Sequence, residues 1–404
     1  MITPPEPGLT PPEMLRRAEV LRPVLRARQD HCEELGRLPE ETNQDFINAG
    51  FYRLLQPRRF GGYELSVTDF IRVMIEVSRG CSESGWVLSL TTGHPAAFVA
   101  GFEERAQCEV YGETGDFRAP GVAIPGGAAI PVPGGYMAKG TWDYCSGCDI
   151  ATHFLGAVMV IDPATKAPQA YAYALVDRKD FTIIDNWNML GMQGTGSRRV
   201  VVEEMTLPSH RVLAFGDPAM QKMYPGPGRA LFDNPLFHGP TLPLLMCEMA
   251  SVAVGAARGA LDLYEENLRE KKWLLPPFPP RYEMQDFQRN YGNAQGLTDT
   301  AEAALLRLGD DYMQMARAVM EGTPATLEVQ RKFMRAGQQC VQLAWEAVEL
   351  MFRTAGTSSS RKNSPLGRYF KNLAVLRTHP VAQWDHTSTN VARLHFGVPP
   401  LSGF

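Results

Sequence analysis

Between residues 116 and 208 the sequence changes its period, and that change decides the fold class. The segments YMAKGTWDY, FLGAVMVI, YAYALV and RRVVVEEMTL are rich in β-branched and aromatic residues and are separated by Gly- and Pro-bearing turns, which predicts strands. Some of them alternate and others are almost wholly apolar. A closed or face-covered sheet fits that mixture better than an isolated hairpin. On both sides of this region the apolar spacing is helical. Thr10 can cap a helix that opens with Pro11, Pro12 and Glu13 and closes before Leu38-Pro39. Ser66 and Asp69 can cap another, and a further helical stretch covers Gly85 to Tyr111. After the Gly/Pro-rich connection YPGPGRALFDNPLFHGP, a candidate lid from Pro225 to Pro243, long helices are expected over 241–271, 286–322, 327–354 and 368–394.

The expected class is therefore α+β, with an N-terminal helical domain at 1–115, a central β-barrel or sheet domain at 116–218 and a C-terminal four-helix bundle at 219–404. A chain of 404 residues suits such a division. The first bundle helix lines up Ala250, Ala253, Gly255, Ala256, Gly259 and Ala260. Each central glycine costs about 1 kcal/mol relative to alanine, so close packing of another helix is the expected compensation.

Charge and cysteine usage narrow the function. Forty basic against 44 acidic residues leave a net charge of −4, which gives no electrostatic case for a nucleic-acid partner. The N-terminus lacks the pattern of a secretory signal. No uninterrupted apolar run reaches the roughly 18 residues a membrane helix needs, because Glu248 and Arg258 interrupt the richest stretch. Seven cysteines make no disulfide framework, and a reducing cytoplasm is the simpler setting.

The stretch GTWDYCSGCDIATH has three readings. Zinc normally takes four ligands, whereas Cys145 and Cys148 supply two, with Asp149 and His153 completing the set only on paper. A redox dithiol belongs at a helix N-terminus, but this CSGC follows one strand and leads to another. The third reading is a turn at Ser146-Gly147 that directs a hydroxyl and an amide toward a bound heterocycle, with both thiols neutral. No metal is expected.

These residues carry a resemblance that spans nearly the whole chain. FGG at 60–62, WVLSLTTGH at 86–94, GTWDYCSGCD at 140–149, GMQGTGS at 191–197 and SPLGRYFKNLAVLRTH at 364–379 occur in the order and spacing of one family. The chain resembles the oxygenase component of two-component flavin-dependent monooxygenases of the 4-hydroxyphenylacetate 3-hydroxylase type, which share the acyl-CoA dehydrogenase fold. The resemblance implies a homotetramer that takes reduced FMN or FADH2 from a separate NAD(P)H–flavin reductase. It further implies a C4a-hydroperoxyflavin that hydroxylates a phenolic, indolic or fused-ring substrate.

By the same resemblance Ser146 lies near flavin N5, and Gly194, Thr195, Gly196 and Ser197 lie along the cofactor. Trp142 either packs on the flavin or fills the sheet core. His94 lies beside the substrate hydroxyl, with Trp86 as an aromatic wall two helical turns away. His379 approaches the active centre, and Arg368 either serves near the cofactor or a neighbouring subunit or forms an ordinary salt bridge. Lys371-Asn372 stands where relatives carry Arg-Asp, which removes a carboxylate. GMQGTGS precedes a strand, so it is no dinucleotide fingerprint, and no NAD-binding unit is evident.

Two competing readings remain at this stage. One is sulfur oxidation on the same scaffold, which needs no phenolate base. The other is an acyl-CoA dehydrogenase, one subset of which carries its catalytic glutamate directly before a late Gly-Thr pair. Here Ala355 precedes Gly356-Thr357, and alanine cannot remove a proton.

Overall fold

The computed structural model describes residues 2–217, 222–223 and 226–401. Six helices come first: α1 (Pro11–Ala27), α2 (Gln29–Leu35), α3 (Glu40–Ala49), α4 (Val67–Gly80), α5 (Ser82–Ala97) and α6 (Glu104–Tyr111). Eight strands follow: β1 (Gly121–Val132), β2 (Gly135–Cys145), β3 (His153–Ile161), β4 (Pro168–Asp177), β5 (Thr182–Ile184), β6 (Arg198–Pro208), β7 (Val212–Asp217) and β8 (Lys222–Met223). The chain returns to helix in α7 (Thr241–Glu270), α8 (Gln285–Met320), α9 (Leu327–Thr354), α10 (Pro365–Leu376) and α11 (Trp384–His395).

Local chemistry accounts for most of these boundaries. Thr10 and Ser66 cap α1 and α4 by accepting from the amides of Glu13 and Asp69. Three expected helices divide. The first breaks at Arg28 into α1 and α2. The Gly85–Tyr111 stretch ends at Ala97, where Pro95 removes an amide from the last turn, and resumes at Glu104. The 368–394 stretch splits into α10 and α11, because Pro380 excludes the helical region for the residue before it and His379 adopts φ −62, ψ 140. His379 thus stands in a break between helices.

The strands form one sheet in the order β5-β6-β2-β1-β3-β4-β7-β8, parallel only between β1 and β3. It is open at β5 and β8 among the described residues, so the expected region is a sheet with two edges and not a closed barrel. Both faces are covered. Along β4, Tyr173 and Leu175 join the large core shared with the helices, while Ala172, Ala174 and Val176 join a second core with Trp142, Phe154 and Val200. Period-2 side chains buried on both faces explain why these strands read as nearly continuous apolar runs.

In the bundle, the small residues of α7 do what their spacing required. A Cβ on Gly255 would lie 2.5 Å from the Ile75 carbonyl, and one on Gly259 would lie 2.4 Å from that of Arg79, so α4 and α7 meet backbone to backbone. The stretch of α7 that is long and apolar enough to cross a membrane is 89% buried in the protein. The expected boundary at 218/219 and the start of the expected lid at Pro225 fall outside the described residues. From residue 226 onward that segment is pinned and is not a free lid. Leu236 and Phe237 are fully buried, and the Arg229 guanidinium donates to the carbonyls of Phe237, Gly239 and Ala97.

Candidate functional site

Helix α5 organises the site. Almost every residue in it is buried, as befits a helix held between the bundle and the sheet. Trp86 and His94, eight residues apart, share one of its faces. Opposite Trp86, strand β2 ends at Cys145, and the backbone leaves it through Tyr144 (φ 65) and Gly147 (φ 75), which turns Ser146 toward the helix.

A chain of hydroxyls begins there. Trp86 Nε1 donates to Ser146 Oγ (2.9 Å), Ser146 meets Ser197 (2.7 Å), Ser197 meets Thr195 (2.7 Å), and Thr195 donates to the Met192 carbonyl (2.7 Å). Its ends fix its direction. An indole N–H can only donate and a carbonyl can only accept, so Ser146 donates to Ser197 and Ser197 to Thr195. Ser146 Oγ is left with one uncommitted lone pair. Toward anything that approaches the site it is wired as an acceptor.

The Met192–Ser197 turn is held from three directions. Gly194 N donates to Glu83 Oε1 (2.9 Å), Met192 N to Asn372 Oδ1 (2.6 Å) and Gly147 N to the Thr195 carbonyl (3.1 Å). Asn372 in turn donates to Ser82 (3.0 Å). The carboxylate missing from this position is thus replaced by an amide that clamps the turn, and Lys371 pairs with Glu33 at 2.7 Å. Glu83 was not singled out from sequence, since 111 residues separate it from Gly194.

Burial, then the neighbouring Cys81 sulfur, pushes the Glu83 pKa up to about 8. An unfolded glutamate gives up its proton first, so between pH about 4.5 and 8 this group takes up to about 1.4 kcal/mol per pH unit from the native state as pH rises. Glu83→Gln keeps an acceptor for Gly194 and removes the ionisation. Its stability relative to the parent should therefore improve from pH 5 to pH 8 in denaturant titrations; parallel pH curves would show that Glu83 is ionised throughout.

The two histidines are neutral and oppositely poised. His94 Nδ1 lies 2.6 Å from the Ala119 carbonyl, so Nδ1 carries the hydrogen and Nε2 is an acceptor with no partner among the described residues. His379 Nδ1 accepts from Val381 N (3.2 Å), which puts the hydrogen on Nε2 and makes that atom a donor. Burial lowers both imidazoles to about 4. His379 stands edge-on to Trp86 at 5.6 Å, and an aromatic series runs from His94 through Phe98 (5.0 Å) and Tyr173 (4.7 Å) to Phe215 (4.2 Å). Phe98, Tyr173 and Phe215 had no sequence signal beyond their apolar character.

Two expected cofactor residues lie elsewhere. Trp142 belongs to the core on the other face of the sheet, donates to the Ala157 carbonyl (2.8 Å) and packs edge-on against Phe154. A register shift between Trp142 and Cys145 separates its face from that of Ser146. Of the two roles weighed for it, the structure selects core filling. Arg368, 4% exposed, is committed to Asp30, Glu33 and Gln29, which is the salt-bridge alternative. In CSGC, burial raises Cys145 far above the thiol range and Cys148 to about 12, while Asp149 pairs with Arg198 at 2.7 Å. Ser146-Gly147 forms a turn between the end of β2 and the following short helix, with both sulfurs buried beside it.

Two surface clefts, one near Ile2, Arg59 and Phe60 and the other near Asn267, Lys271 and Ser359, contain no member of this cluster. Trp86 is 7% and Ser146 5% exposed, and His379 is the partly exposed member of the cluster. Ala355, which stands before Gly356-Thr357 where one dehydrogenase subset is expected to carry its glutamate, is fully buried at the end of α9. Glu248, the buried carboxyl of α7 beside α5, makes no hydrogen bond through either oxygen, and burial pushes it strongly toward the neutral acid. It presses on Gly93, where an added Cβ would lie 1.8 Å from its Oε1.

Residues 247–384 match the family described as acyl-CoA dehydrogenase, C-terminal domain. Over 391 residues the chain is 30% identical to a pigment production hydroxylase of Rhodococcus sp. (strain ATCC 21145), covering 97% of this chain and 98% of the relative. It is 28% identical over 402 residues to the oxygenase component of an FADH(2)-dependent resorcinol hydroxylase of Rhizobium sp. (strain MTP-10005), covering 98% and 97%. The crystal structure of the HsaA monooxygenase from M. tuberculosis superposes with a TM-score of 0.87 at 25% identity, covering 98% of this chain and 99% of that one.

Proposed function

The chain belongs to the oxygenase components of two-component flavin-dependent monooxygenases, built on the acyl-CoA dehydrogenase fold, and from that premise we propose that it hydroxylates an aromatic substrate with reduced flavin and dioxygen. The observation that carries this reading is the directed hydroxyl chain ending at Ser146 Oγ, with the neutral imidazole of His379 against Trp86 and that of His94, in the opposite tautomer, two turns further along α5.

The residues fit a flavin. Ser146 offers an acceptor lone pair, Ser197 and Thr195 of the turn stand behind it in the hydroxyl chain, and His379 packs on the Trp86 that donates to it. Bound reduced flavin, FMN or FADH2, would supply the two electrons that activate dioxygen, and dioxygen would supply the oxygen atom transferred. The protein binds, orients and excludes water. Ser146 Oγ holds a proton in place by accepting it, and the chain through Ser197 and Thr195 fixes that polarity. His94 Nε2 accepts the hydrogen bond of a substrate hydroxyl, with Nδ1 anchored on Ala119. His379 Nε2–H donates toward the oxygen being delivered. Trp86 and Phe98 form apolar walls, which favours a flat ring over a sugar.

Reduced flavin is expected from a separate NAD(P)H-dependent reductase, and we place the enzyme in the cytoplasm as a homotetramer. The seven cysteines are free, in keeping with a reducing compartment.

The test is direct. Protein mixed anaerobically with reduced FMN or FADH2 and a panel of phenols and indoles is exposed to 18O2, and products are read by mass spectrometry. One labelled oxygen in a ring product supports the proposal. Flavin oxidation that yields hydrogen peroxide alone across the panel, or reduction of bound oxidised flavin by an acyl-CoA thioester, overturns it.

A further inference from the structure

The structure assigns a second reactive centre to a buried sulfur pair: Cys81 and Cys32 form a peroxide-reactive dithiol that closes to an intramolecular disulfide and loosens the Met192–Ser197 turn. The side-chain ligand atoms of Cys32, Cys81 and Glu83 all lie within 4.8 Å of one another, and all three residues are buried. Cys81 is the N-cap of α5, in extended conformation, and its sulfur accepts from Ser84 Oγ (3.3 Å). Cys32, on α2, does the opposite. Its one S–H has the carbonyls of Arg37 (3.7 Å) and Gly194 (3.6 Å) as alternative acceptors, so it is held as a thiol.

One sulfur therefore sits among donors at a helix N-terminus, where the thiolate is favoured, and the other is a protonated neighbour. The electrostatics agree with this division. The Cys32 side chain, then the Ser84 hydroxyl and the amides of Ser84 and Glu83, lower Cys81 against the cost of burial, while Cys81 itself and burial raise Cys32. Glu83 Oε2 has no hydrogen-bond partner among the described residues. Two thiols and one carboxyl fall one ligand short of the four zinc takes, and no further His, Cys, Asp or Glu joins the group among the described residues.

The chemistry balances with hydrogen peroxide as oxidant. The Cys81 sulfur attacks one peroxide oxygen, the O–O bond breaks, and the departing hydroxide leaves with the thiol proton as water, giving a sulfenic acid. The Cys32 sulfur then attacks Cys81, the S–O bond breaks, and the hydroxyl leaves with the Cys32 proton as a second water. Two thiols lose two electrons and the peroxide gains them.

The peroxide source rests on the proposed function, since a flavin oxygenase that fails to meet its substrate releases peroxide, and Cys32 touches the Gly194 end of the proposed cofactor turn. The consequence follows from Gly194. A Cβ there would lie 2.3 Å from Cys32 Sγ, so the sulfur fills the space behind the turn and hydrogen-bonds its carbonyl. Moving that sulfur onto Cys81 withdraws both contacts from the turn.

The experiment needs no turnover, so its failure is separate from failure of the functional reading. The full-length protein is treated with hydrogen peroxide, digested with trypsin and mapped. The expected product joins the peptides 29–37 and 80–105 with a loss of two hydrogens and is reversed by dithiothreitol. Cys32→Ser should instead leave a dimedone-trappable sulfenic acid at Cys81. A bulky aromatic disulfide reagent should titrate only Cys108, the one exposed cysteine among the described residues. Affinity for reduced flavin, measured on the linked protein before and after dithiothreitol, should be weaker by about fivefold or more in the linked form. Oxidation confined to Cys108, or a link that leaves flavin affinity unchanged, overturns the proposal.

Discussion

Replacing His94 with asparagine should lower the rate of ring hydroxylation by about 10²–10⁴-fold while leaving the affinity for reduced flavin within a few-fold of the parent. Asparagine can keep a donor to the Ala119 carbonyl, but it has nothing at the position of Nε2. Glutamine makes the converse change, reaching the Nε2 position and giving up the anchor. A partial recovery in His94→Gln would therefore separate the acceptor from the scaffold. The low basicity of His94 also says what kind of acceptor it is. With the imidazole at about 4 and a free phenol near 10, complete proton transfer before reaction would be uphill by roughly 8 kcal/mol. His94 then polarises the hydroxyl and takes the proton only as the ring becomes electron-poor in the transition state.

Its pH signature follows. The folded pKa lies below the unfolded value, so the neutral form, and the stability tied to it, is retained above about pH 6.5 and lost as pH falls through about 4. The acid limb of hydroxylation assigned to His94 should sit near pH 4. A His94→Asn enzyme with parent activity on a substrate that has no hydroxyl would point to sulfur oxidation on the same scaffold.

The sequence was most legible where chemistry is local. Caps at Thr10 and Ser66, the change of period after residue 115 and the small-residue face of α7 are readable from neighbours a few positions apart. The site was legible in part. Trp86, His94, Ser146 and the 194–197 turn are brought together or arrayed along one helix, whereas Trp142 and Arg368 are not. Trp142 was lost because a positive φ at Tyr144 and a register shift reverse which face of β2 leads to Ser146, and a period-2 count cannot register either. Arg368 was lost because the carboxylates that engage it, Asp30 and Glu33, lie more than 330 positions away in sequence. Sequence separation likewise hid the clamps at Glu83, 111 positions from Gly194, and at Asn372, 180 from Met192, and the pairing of Cys32 with Cys81. Long-range partners of buried polar groups have no periodicity to betray them.

Ser146→Ala tests the directed hydroxyl chain most sharply. The variant keeps the turn and its clamps but removes the oxygen whose lone pair faces the cofactor side, and it leaves the Trp86 N–H without its acceptor. Reduced flavin should still be consumed in air. The fraction of it that yields hydroxylated product should fall at least about tenfold, with hydrogen peroxide rising to match, since loss of one preorganised partner at a reacting centre costs roughly 10²–10³ in rate. Ser197→Ala probes polarity instead of contact. It removes the acceptor for the Ser146 proton, so that proton is free to turn outward and Ser146 can act as a donor where the parent accepts. Coupling should fall there too, by less than in Ser146→Ala, and Ser197→Thr should restore it. Thr195→Val, which cuts the chain at its anchor on the Met192 carbonyl, should give the smallest loss. That ordering follows only from a chain with a fixed direction. If Ser146→Ala couples oxygen to product as well as the parent does, the serine merely shapes the turn, and the hydroxyls behind it are packing.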